Sequence, residues 1–146
     1  MSVAANANTS AAVRTDLALL LLRAASAPAF LYHGSAILFR WFGGPGPERF
    51  AASHYWPIAI AYLVGMAQVA GGLAIVSGIL FRVGAASVSI VMVGAISLVH
   101  LRNGFDVTSG GAEYAIAQLL IAAALLLMGP GTYSLAFLAP SSMRKL

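Results

Sequence analysis

Apolar positions fall in four long blocks, at residues 16–39, 58–80, 83–101 and 112–128. Each block approaches the roughly 20 residues that a helix needs to cross the hydrocarbon core of a bilayer. Barrel strands would be about half that length, with strict alternation, so helices are predicted. The segments between the blocks break helices or sit at interfaces. Residues 40–56 hold Gly43-Gly44-Pro45-Gly46-Pro47 between the aromatics Trp41, Phe42, Tyr55 and Trp56, as a membrane–water boundary favours. Pro57 suits a first helical turn. Only Phe81-Arg82 divides the second block from the third, which predicts a tight hairpin. Residues 102–111 form the next loop, and Gly129-Pro130-Gly131 stops the fourth block.

The pattern predicts an all-α, integral membrane four-helix bundle, up-down-up-down, over residues 16–138. Residues 133–138 are apolar enough to lie at the interface. Residues 1–15 read as a mobile N-terminal tail and 139–146 as a C-terminal tail. A cleaved signal peptide is the rival for the first block. Its apolar run, Leu17–Leu22, is shorter than the about 7–15 residues such a segment uses, so the block is expected to remain a span. Gly65, Gly71, Gly72 and Gly78 in the second block, and Gly84, Ala85, Ser89, Gly94 and Ser97 in the third, predict close helix–helix approach.

Composition agrees. Of 146 residues, 60% are apolar and 8% charged, and mean hydropathy is +0.89. A soluble domain is about a quarter charged, so a soluble enzyme and a disordered chain are excluded. The chain has no cysteine, which excludes disulfides, thiolate-held metal or Fe–S centres, covalent haem and a persulfide carrier. The net charge of +4 comes from arginines scattered at block ends. They form no patch for nucleic acid and read as topology signals. Arg14, Arg82, Arg144 and Lys145 share one side, against Arg40, Arg49 and Arg102 with Glu48 and Asp106 on the other. Positive-inside counting then puts both termini in the cytoplasm.

Polar residues within the blocks need a reason, since an arginine at a span centre costs roughly 2.5–3.5 kcal/mol on insertion scales. Arg23 reads either as a cation snorkelling to the headgroups or as an inward cation bonded to Gln68 of the second block. Gln68 alone reads as helix–helix glue. Pro28 frees the carbonyl of Ala24, a further acceptor for Arg23. Antiparallel topology brings His33, His100, Asn103, Glu113 and Tyr114 to one level at the outer interface. Such a layer, between apolar walls, has the donors and acceptors for the two oxygens of a quinone or quinol, and for its protons. A haem held by two histidines is a weaker reading, because it needs a haem-sized gap between four short helices, and so is a His–His–Glu metal site, because no HxxH or HExxH spacing is present. No metal and no covalently bound cofactor is expected. His54 reads as an interfacial side chain.

The chain resembles the DoxX family of four-span bacterial membrane proteins. The matching blocks are Leu22-Arg23 and Tyr32-His33-Gly34, then Gly71-Gly72-Leu73 and Gly78-Ile79-Leu80-Phe81-Arg82. They continue with Val99-His100-Leu101-Arg102-Asn103-Gly104-Phe105, Glu113-Tyr114 and Gly129-Pro130-Gly131-Thr132-Tyr133-Ser134-Leu135. The resemblance implies a bundle in the bacterial cytoplasmic (inner) membrane. It also implies quinone-linked redox, as in the similar DoxD subunit of thiosulfate:quinone oxidation, and in members linked to quinone stress or thiol-oxidising partners. The family's polar positions carry over to Arg23, His33, His100, Asn103 and Glu113. Family members often carry Glu where this chain has Gln68, and an Arg–Gln pair cannot relay a proton as Arg–Glu would. The expected function is a membrane subunit of a quinone-dependent oxidoreductase, working with a larger membrane or peripheral redox partner. The alternatives are an accessory subunit without chemistry and a carrier for a small organic or sulfur compound.

Overall fold

In the computed structural model, residues 2–138 and 140 are described, residues 2–7 by their helical backbone only. The described residues are helical, with no strand. The helices are α1 (Ser2–Phe39), α2 (Gly46–His54), α3 (Ile58–Ser77), α4 (Phe81–Ala95) and α5 (Glu113–Met128). The C-terminal tail expected at 139–146, with Arg144 and Lys145, lies outside the described residues apart from Pro140.

α1 packs along α3, α3 on α4, and α4 on α5, while α1 also touches α5. Glycines allow the close crossings. A Cβ on Gly34 would meet the Gln68 Cβ at 2.9 Å, and one on Gly71 would meet Val88 at 2.5 Å. Leu19, Ala27, Phe30, Ile75, Phe81, Val88, Ala122 and Leu125 form the main core. Ile37, Ala51 and Ala61 form a second cluster, where α2 closes against α1 and α3.

The outer surface is apolar. Leu21, Ile90, Leu120 and Leu127 are 70, 73, 64 and 79% exposed, which suits lipid and not water. Asn8–Phe39, Ile58–Ser77 and Phe81–Asn103 are long and apolar enough to cross a membrane. α5 has 16 residues, about 24 Å at 1.5 Å per residue, somewhat less than the roughly 30 Å core. The protein is therefore an all-helical membrane protein with three such spans and a fourth, shorter apolar helix.

Three features differ from the sequence reading. The residues before Asp16, read as a tail, continue α1 as helix, in keeping with the high helix propensity of their alanines. The glycine- and proline-rich loop contains α2. Pro47 stands at its start with Glu48 in the first turn, and Tyr55 ends it with a left-handed φ of 58°. The hairpin turn lies at residues 78–80 and not at Phe81-Arg82. Gly78 closes α3 at φ 81°, Leu80 precedes α4, and Phe81 is 3% exposed in the core.

Candidate functional site

α4 changes its winding before the outer loop. Residues Ile96–His100 form a π-turn and Leu101–Asn103 a 3-10 turn. A π-turn widens a helix locally and recurs at functional sites. Here it ends on His100, beside a cavity of about 820 Å³ bounded by all five helices. Apolar side chains make up most of its walls. Its polar lining is His33 from α1, His54 from α2, Gln68 from α3, Ser87 from α4, His100, and Tyr114 and Gln118 from α5. Among the described residues no Asp, Glu, Lys or Arg lines it.

The hydrogen-bonding state of each group defines what the cavity offers. Gln68 is 5% exposed as a residue; its amide makes no hydrogen bond to the described residues, and it opens onto the cavity, since no fully enclosed side-chain nitrogen or oxygen among the described residues lacks a partner. His33 touches Tyr32 edge-on at 5.3 Å between ring centres, and its ring nitrogens also have no such partner. The His100 Nδ1–H donates to the Gly110 carbonyl at 2.8 Å, which leaves Nε2 as an acceptor in the neutral ring. His54 is fixed in the same way. Its Nδ1–H donates to the Phe50 carbonyl at 2.8 Å, while its ring stacks on Trp56 at 4.6 Å.

A buried chain of bonds reaches the cavity from α1. The Ser26 hydroxyl donates to the Gln118 Oε1 at 2.9 Å, and the Gln118 Nε2 donates to the Tyr114 hydroxyl at 3.0 Å. The Tyr114 oxygen is thus already accepting, and its own proton remains to be given. Each bond polarises the next. The cavity therefore presents neutral donors and acceptors on apolar walls.

The sequence-predicted residues divide into two groups. His33, Gln68, His100 and Tyr114 meet at the cavity. Asn103 and Glu113 stand beside it in the loop: Asn103 Nδ2 donates to Gly110 O at 3.2 Å, and Glu113 Oε2 accepts from the Val107 N–H at 3.2 Å. Nearby, the Asp106 carboxylate accepts from the Thr108 N–H at 2.8 Å and its hydroxyl at 2.9 Å. Those bonds hold the Asp106 carboxyl below the usual carboxylate range.

Arg23 lies elsewhere. It is 3% exposed, so it points inward, but it reaches neither Gln68 nor the Ala24 carbonyl. Its Nε donates to Ile75 O at 2.8 Å and its Nη2 to Val76 O at 2.7 Å. Its Nη1 donates to Pro130 O at 2.9 Å and Tyr133 O at 2.5 Å. The first two carbonyls belong to the last turn of α3, where helix geometry leaves acceptors without partners. The N–H that would serve Ile75 O, that of Ile79, goes to the Ser77 hydroxyl instead. Arg23 is a helix cap set in the protein interior.

Ser26, His54 and Gln118 were not among the predicted site residues. Gln118 had a signal, an amide within an apolar block one turn after Tyr114. His54 had none, because only the folding of α2 brings it over the cavity.

The family model described as DoxX matches residues 18–101, more than half of the chain. The chain belongs to the DoxX family. The match contains Arg23, His33, Gln68 and His100 and ends before Glu113, Tyr114 and Gln118. The matched residues thus include Arg23 with its two α3 acceptors and the cavity walls from α1, α2, α3 and α4, while α5, Pro130 and Tyr133 fall beyond them. Comparison with curated proteins and with solved structures gives no match.

Proposed function

We propose that this DoxX protein binds a quinone or quinol in the cavity, as the membrane subunit of a redox system. The observation that carries the reading is Gln68, whose amide bonds to none of the described residues and stands on the wall of an apolar chamber. That amide opens onto the chamber, so its NH₂ and its carbonyl are free to bond a ligand oxygen or hydroxyl. The volume suits a small-molecule site. The absence of fixed charge from the lining selects a neutral ligand with oxygen on an apolar ring.

The groups divide the work by protonation state. The Tyr114 hydroxyl and the Gln68 NH₂ donate to a quinone carbonyl. The His100 and His54 Nε2 atoms accept from a quinol hydroxyl and take up its proton. Reduction of the quinone consumes two electrons and two protons. The histidines handle protons, and the electrons exchange with a redox protein partner, since the sequence has no cysteine to hold an Fe–S or persulfide relay. DoxX resemblance to quinone-linked systems supports the same reading.

The accompanying topology is four spans, up-down-up-down, in the bacterial inner membrane, with α5 completing its crossing through the residues at either end. The histidine cavity then faces outward and both termini face the cytoplasm. A cysteine at Ser53 is expected to react with a membrane-impermeant maleimide in intact spheroplasts, and one at Ser10 is not. The reverse pattern would turn the cavity to the cytoplasm.

The deciding measurement is quinone bound to purified protein. His33→Ala is expected to weaken retention about five- to 150-fold, the equivalent of one buried hydrogen bond. Tyr114→Phe is expected to act less, because it removes one hydroxyl and keeps the ring, whereas His33→Ala removes the whole imidazole. Equal retention in all variants, or none in the wild type, would discard the quinone site in favour of an accessory subunit.

A further inference from the structure

A second groove adjoins the cavity. Leu63, Ala67 and Ser87 line both the chamber and a second, external groove of about 360 Å³ between α3 and α4. The groove is floored by Ala67, Ala70, Gly71, Ala74 and Gly84 and rimmed by Leu63, Met66, Leu80 and Val83. Its one hydroxyl is engaged within the helices: the Ser87 Oγ donates to Gly84 O at 2.8 Å. The walls are otherwise hydrocarbon.

The two helices touch at one end and part at the other. A Cβ on Gly71 would strike Val88 at 2.5 Å, whereas one on Gly94 would meet nothing within 4 Å. Toward the open end the chamber wall includes Leu63 of α3, Ile90 of α4 and Leu98 of the π-turn, all exposed on the outer surface. The chamber therefore opens sideways, between α3 and α4, where the surroundings are lipid. At the head of the path stands Gln68, more than nine-tenths buried and bonded to none of the described residues.

We infer that the α3–α4 groove seats the hydrocarbon tail of a membrane-dissolved quinone whose ring occupies the chamber, so that the ligand enters from the bilayer and not from water. This rests on the quinone reading and extends it to the class of quinone, one with a long apolar tail. A ring held at Gln68 must send its tail out through the opening. Small side chains on the floor leave space for that tail, and the tail gains dispersion contacts with the rims.

The test compares two ligands, one quinone ring without a tail and the same ring with a ten-carbon tail, on purified protein in nanodiscs. Ala70 is exposed on the groove floor, so Ala70→Phe fills the groove from the lipid side. It is expected to weaken the tailed quinone about tenfold through lost packing contacts and to leave the tailless one unchanged. Val83→Phe, on the opposite rim, is expected to do the same. Leu120→Phe on the far surface serves as control and should change neither. Ratios between variants cancel the greater partitioning of the tailed ligand into the bilayer. Loss of both ligands in equal measure, or of neither, in both groove variants overturns the tail groove while the ring site stands. A resident lipid acyl chain would give the second of these. Failure of the wild type to bind either quinone removes the ring site and the groove with it.

Discussion

The two ends of the bundle treat their buried polar groups in opposite ways. At the end held by Arg23, four hydrogen bonds join one guanidinium to the close of α3 and to the turn after α5. Asp16, two turns earlier on α1, takes the Thr132 N–H at 3.1 Å and its hydroxyl at 2.6 Å. That end is saturated. At the other end, His33 and Gln68 have bonding capacity to spare, and the histidines with one nitrogen fixed keep the second open. A charge in lipid draws attention first, yet here the charge is structural, and the neutral amide is the group that keeps bonding capacity. Unused hydrogen-bonding capacity, more than the cost of burial, separates the two.

The largest effect should come from the saturated end. Arg23→Leu strands several carbonyls in an apolar interior and is expected to cost about 3–5 kcal/mol of stability. Thermal unfolding in detergent measures it. Unchanged stability with lost quinone binding would reverse the roles of the two ends.

Gln68→Leu should do the opposite. It removes an unpartnered amide, so the ligand-free protein should unfold at the same Tm or higher, while quinone affinity falls about five- to 150-fold. A marked loss of stability would show that Gln68 is helix–helix glue after all.

Much of this was legible in the order of apolar blocks and in their polar interruptions. The level shared by His33, His100 and Tyr114 follows from span order alone. The partner of Arg23 did not follow. Its acceptors are backbone carbonyls, which every residue has, so no side-chain pattern marks them, and the obvious polar neighbour, Gln68, was the wrong one. Glu113 was placed at the right level, but its carboxylate serves the loop N–H of Val107, a matter of one turn's rotation. α2 was hidden because glycine and proline, which break helices in their interior, also start them, as Pro47 does.

The smallest effect lies outside the contrast and calibrates it. Arg40 and Glu48 form a surface pair at 2.8 Å, and that hydrogen bond holds the Glu48 carboxyl below its usual value. The stability it adds is present above the ordinary carboxylate range and is lost as pH falls through the lowered value. Wild type and Glu48→Gln should differ slightly in Tm at pH 7 and converge in strong acid. A difference as large as that of Arg23→Leu would remove the distinction between an exposed ion pair and a buried cap.

The arginine cap also has a consequence in time. Two of its acceptors, Pro130 and Tyr133, lie 107 and 110 residues downstream. At about 5–20 residues per second, the ribosome makes them roughly 5–20 s after Arg23. Throughout that interval the first helix carries a cation whose native bonds cannot all exist. The two α3 acceptors, Ile75 O and Val76 O, come 52 and 53 residues after Arg23, so the cation is half capped until the last helix arrives. A chain truncated after α4 should be recovered poorly from the membrane, and Arg23→Leu should restore that fragment even while it weakens the full-length protein.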